Sequence, residues 1–105
     1  MAINIRRVVG DLGAKARITL TAVTDANGTL VTAGTLTLRA AGLFEGAMTH
    51  QTGGTWIYDP IAGDISRSGK FLLEAHLEND GQVTIPVDGT WYLLVRDRAT
   101  EPPAA

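Results

Sequence analysis

Glycine recurs so regularly along this chain, at positions 10, 13, 28, 34, 42, 46, 53, 54, 63, 69, 81 and 89, that no stretch between them reads as a persuasive helix. Between the glycines, apolar residues return at every second position, the period that places them on one face of a pleated strand. In Ile18-Thr19-Leu20-Thr21-Ala22 and Thr35-Leu36-Thr37-Leu38-Arg39 the apolar set alternates with residues that tolerate solvent. Phe71, Leu73, Ala75 and Leu77 form one row, with Leu72, Glu74, His76 and Glu78 on the other side. Val83, Ile85 and Val87 form a further inward row, as do Trp91, Leu93 and Val95.

The turn residues predict how these strands join. Asn27-Gly28 readily supplies two positive φ angles, so Ile18–Thr24 and Thr29–Thr32 are expected to pair as a hairpin. Asn79-Asp80-Gly81 and Asp88-Gly89 would turn the last three strands into an antiparallel meander, with Pro86 confined to an end or an edge because it donates no ladder hydrogen bond. The glycine-rich run 40–54 reads as an excursion loop or a weak strand. About seven short strands in 105 residues predict an all-β fold, an antiparallel immunoglobulin-like β-sandwich, with a small barrel as the competing architecture. Residues 1–99 would form this single domain and the proline-rich segment 100–105 an extended tail.

Composition narrows function by exclusion. With no cysteine there is no disulfide framework, thiolate metal site or cysteine nucleophile. Nine basic and eleven acidic side chains leave a field too balanced for non-specific nucleic-acid binding. Apolar runs such as Trp91 to Val95 fall far short of the roughly 20 residues a membrane helix needs, so a soluble chain is expected. Met1 to Val9 lacks the apolar region of a signal peptide.

No catalytic constellation emerges, and neither a cofactor nor a metal is expected. Ser66 and Ser68 flank Arg67 outside any nucleophile elbow. Asp59, Asp64, Asp80 and Asp88 stand in turn contexts, where aspartate has a local structural role. Glu74, His76 and Glu78 share a strand face and could be imagined around a divalent ion. Same-face neighbours lie roughly 7 Å apart, however, so a solvated polar face is the preferred reading. His50 is expected on a surface loop. Trp56, Tyr58, Trp91 and Tyr92 would stack on sugar rings if exposed, which makes a carbohydrate- or cell-surface-binding module the alternative function; filling the core is the plainer role. Ile3 and Ile5 on the opening strand, with Arg6, Arg7, Arg96 and Arg98 near the two termini, are candidate protein-contact residues.

The order of these features resembles a known family. Gly10-Asp11 follows a short opening strand; Asn27-Gly28 and then Leu30-Val31-Thr32-Ala33-Gly34 lead into Thr35-Leu36-Thr37-Leu38. Trp56-Ile57-Tyr58-Asp59, Ser68-Gly69-Lys70-Phe71-Leu72-Leu73-Glu74-Ala75, Asp80-Gly81-Gln82-Val83-Thr84-Ile85-Pro86 and Gly89-Thr90-Trp91-Tyr92-Leu93-Leu94-Val95 succeed one another. That succession, nearly the whole chain, resembles the N-terminal immunoglobulin-like domain of tailed-phage baseplate upper proteins. The resemblance implies a non-enzymatic bacteriophage structural protein, made in the host cytoplasm and located in the virion. It would dock onto other virion proteins and act as a homo-oligomer within the assembly, without nucleic-acid or membrane partners. The chain departs from the family in carrying no downstream receptor-binding scaffold, so capsid decoration and a head–tail or tail-tip joint stand beside the baseplate as expected locations.

Overall fold

A computed structural model of the chain describes residues 2–79, 81–86 and 89–98. The protein is all-β: nine strands and one short 3-10 turn, Ala14–Ala16, with no α-helix among the described residues. The strands are β1 (Ala2–Val8), β2 (Ile18–Leu20), β3 (Thr35–Ala40), β4 (Phe44–Ala47), β5 (Thr49–His50), β6 (Trp56–Tyr58), β7 (Gly69–Glu78), β8 (Gln82–Ile85) and β9 (Thr90–Arg96). One sheet runs β1-β9-β7-β3-β4, with β8 also paired to β7; the other runs β2-β6-β5.

The alternating rows are buried as their period predicts. Leu36, Leu38, Ala40, Phe71, Leu73, Ala75, Leu77, Ile85, Trp91, Leu93 and Val95 point inward from the large sheet and meet Ile18, Leu20 and Trp56 from the small one in a single apolar core. Burying each large side chain contributes roughly 1.5–3 kcal/mol, and no disulfide supplements that core.

Three expectations are corrected. The sheet is mixed, not antiparallel: β1 and β9 pair in parallel, from Ala2 opposite Thr90 to Val8 opposite Arg96. Parallel strands are joined by a crossover instead of a tight turn, and here nearly the whole chain intervenes. The last three strands are not a meander, because β8 and β9 occupy successive stretches of one edge of β7. Pro86 has no N–H to extend the β8 ladder, and the next described pairing along this edge of β7 is Trp91 opposite Leu73. The 18–32 hairpin shrinks to one bridge, Thr24 opposite Leu30. In its turn only Gly28 takes a positive φ, 80°, while Asp25 accepts hydrogen bonds from the Asn27 and Thr29 amides at 2.8 and 3.1 Å. The 40–54 run, read as an excursion loop or a weak strand, holds short strands: β4 in one sheet and β5 in the other, the chain crossing between them at buried Met48, whose N–H donates to the Leu36 carbonyl at 2.8 Å. The expected turns at Asp80 and Asp88, the inward position of Val87 and the 100–105 tail lie outside the described residues.

Candidate functional site

The longest strand at an open sheet edge is β1, with seven residues; β4 and β8 have four each, β2 three and β5 two. Backbone polar groups alternate sides along a strand, and Val9 N–H donates to the Arg96 carbonyl at 3.0 Å. The odd-numbered amides of β1 therefore serve β9, and the even-numbered ones face outward. At the far end that outward row is closed internally. Val8 N–H donates to Asp11 Oδ2 at 2.9 Å, Asp11 N–H to the Val8 carbonyl at 3.0 Å, and Arg7 Nη1 to the Arg6 carbonyl at 2.6 Å. Among the described residues this leaves Asn4, with both backbone groups, and the Arg6 N–H as an open template.

The candidate contact residues separate by face. Ile3 stands opposite Trp91 in the ladder, and half-buried Ile5 packs against the core. Arg7 shares the inward side; its guanidinium donates to the carbonyls of Ala16, at 2.9 Å, and Arg17, pinning the 3-10 turn beneath β1. Arg7 thus clamps the 3-10 turn and also lines the outer hollow beside Arg6. Arg6 and Arg96 lie on the outer face, around a hollow with Val8, Asp11 and Leu94, and Arg98 runs past Gly10 beyond the end of β9. The sequence identified the cations but not Arg7's inward turn, which depends on where the 3-10 segment packs.

The four aromatics do not form one platform. Trp56 and Trp91 are buried at 3% and 8% exposure. Trp56 Nε1–H donates to the Val31 carbonyl at 2.8 Å, and its ring meets His50 at 4.9 Å, so His50 lies in β5 and not on a loop. Only Tyr92 belongs to the outer face, where Lys70 Nζ sits 4.2 Å above its ring. Tyr58 stacks on Phe44 at 5.4 Å and donates its hydroxyl to Asp64. That ring lies directly over Gly46: a Cβ there would come within 2.7 Å of the Tyr58 hydroxyl. Gly46 therefore makes room for an aromatic contact that alternation alone did not reveal.

Burial, then the hydrogen bond to Asp64, hold the Tyr58 hydroxyl well above the ordinary phenol range. Folding favours the protonated form, so this stabilisation is complete below about pH 10, where the unfolded phenol keeps its proton, and is lost as the pH rises further. We expect Tyr58→Phe to lower stability by about 1 kcal/mol at neutral pH. Urea titrations at several pH values should also show a shallower loss above pH 10 in the variant; an unchanged alkaline slope would contradict the assignment.

Asp59 and Asp64 serve the fold. Asp64 Oδ2 also accepts the Ile61 N–H at 3.0 Å, the local role expected of a turn aspartate. Asp59 instead reaches across the fold to Arg17 at 2.7 Å, and that hydrogen bond holds its carboxyl below the usual range. Glu74 Oε2 stands 3.5 Å from His76 Nε2, a nitrogen shielded from solvent that makes no hydrogen bond. Among the described residues no three His, Asp or Glu side chains gather closely enough to hold a metal ion. Ser66 and Ser68 are exposed. No described helix is long and apolar enough to cross a membrane.

No protein-family model, curated protein or solved structure matches this chain.

Proposed function

We propose that this chain is a non-enzymatic structural protein of a tailed-phage virion and that β1 is its docking strand. The sequence resemblance supplies the virion context, the finer immunoglobulin-like reading of the two sheets and the expectation of several copies per particle. The observation that carries the docking role is the open Asn4–Arg6 edge: an extended segment of a neighbouring virion protein adds there as a further strand, its main-chain groups taking up those left unpaired. The flanking Arg6 and Arg96 favour a partner segment bearing carboxylates.

A proline scan separates this edge from the fold. At Asn4 the N–H faces outward, so Asn4→Pro removes a donor to the partner while leaving the β1–β9 hydrogen bonds in place. Ile5→Pro removes an internal ladder bond and serves as the destabilised control. Asn4→Pro is expected to keep a near wild-type melting curve and to weaken binding to isolated virion proteins at least tenfold, on the order of 1.4 kcal/mol. Mass spectrometry of purified particles should find the wild-type chain. Its absence from particles, or full binding by Asn4→Pro, would overturn the reading.

A further inference from the structure

The ladder registers arrange the outer face of the large sheet into rows. Lys70, Leu94 and Arg6 lie side by side across β7, β9 and β1, with Arg96 one step further along beside Val8. Leu72, Tyr92 and Asn4 form the next row, and Leu72 is 38% exposed. Beyond them Glu74, Arg39 and Glu45 cross β7, β3 and β4, followed by His76 and then Glu78. One end of the face thus carries three cations with the Asp11 carboxylate beside them, leaving +2. The other carries three carboxylates against one guanidinium, leaving −2, with an apolar strip between the ends.

These ends cannot neutralise one another within one chain. At about 3.3 Å per residue, Lys70 stands roughly 13 Å from Glu74 and 26 Å from Glu78 along β7, beyond a Debye length of about 8 Å at physiological salt. Of the six, only Glu74 forms an ion pair among the described residues, with His76 at 3.5 Å and only when that ring is protonated; the other described pair is Arg17–Asp59. The face measures on the order of 600 Å² in projection, comparable with the roughly 800 Å² of accessible surface each partner gives to a standard interface.

A surface that is cationic at one end, anionic at the other and apolar between is complementary to a copy of itself turned end for end. We infer that the outer face of the large sheet is a two-fold interface between two copies of this chain. The axis lies between the faces near Leu72, so that Arg6, Lys70 and Arg96 of each copy meet Glu45, Glu74 and Glu78 of the other, and the Leu72–Tyr92–Leu94 strips are covered. This inference rests on the docking reading only in making a second copy one of the partners. It uses the face, whereas partner docking uses the β1 edge.

Charge exchange tests it. One variant carries Arg6→Glu, Lys70→Glu and Arg96→Glu; a second carries Glu45→Lys, Glu74→Lys and Glu78→Lys. Light scattering at about 100 μM, where a micromolar Kd leaves most chains paired, should give the wild type twice the 11.1 kDa chain mass. Each variant alone should be monomeric, because like charges now meet. Their mixture should recover a heterodimer, which both folds must survive to form, and added salt should weaken it. A monomeric wild type, or variants that dimerise alone as well as when mixed, would overturn the proposal. Binding to virion proteins through β1, probed by Asn4→Pro, is scored separately: a monomer that still binds them refutes only the two-fold face.

Discussion

Trp56→Ala should lower the unfolding free energy by about 3–5 kcal/mol, a large part of the 5–15 kcal/mol that holds a domain of this size together. The ring is 3% exposed on β6, the central strand of the small sheet, and packs in the shared core. Its removal leaves a cavity that surrounding residues fill only in part. It also strips the Val31 carbonyl of the indole N–H at 2.8 Å, and β6 loses the ring that meets His50 on β5. Trp56→Phe, which keeps most of the burial and loses the donor, should cost about 1–3 kcal/mol. Urea denaturation followed by circular dichroism measures both. The experiment also bears on function, since a tryptophan offered to sugar rings would be replaced with little effect on stability. A Trp56→Ala protein as stable as wild type would contradict the core placement.

Leu73→Ala should cost about 2–5 kcal/mol. Leu73 is fully buried and is the residue of β7 that stands opposite both β3, at Ala40, and β9, at Trp91. A cavity at that position loosens the contact through which β3 and β9 are held to a common strand. Leu72→Ala, one residue away on the outer face, should change stability by no more than about 0.5 kcal/mol, because solvent already reaches that side chain. Equal losses at the two positions would mean that the inward and outward rows have been assigned to the wrong faces.

Those rows were legible because alternation is a local property: successive Cβ atoms leave a strand on opposite sides whatever strand lies beside it. The patterns at 35–39, 71–77 and 91–95 therefore named the buried residues before any pairing was known. The glycine-rich run was read less well. Gly46 interrupts the apolar rhythm because the Tyr58 ring occupies the space its side chain would take, and that ring arrives from a strand in the other sheet. The candidate site was half visible. Arg6 and Arg96 were identified by charge and by nearness to the termini, whereas Glu45 joined no candidate set, since its place on the charged face depends on β4 pairing with β3.

The order of residues by itself determined that the chain is β-structured and which side chains enter the core, because periodicity acts over a few neighbouring residues. Tertiary structure alone decided that β1 runs parallel to β9, that β8 and β9 share one edge of β7, and that Arg7 turns inward while Arg6 stays in solvent. Those outcomes depend on which distant segments can pair their backbone groups while covering the same apolar surface, a condition that the chain as a whole must satisfy.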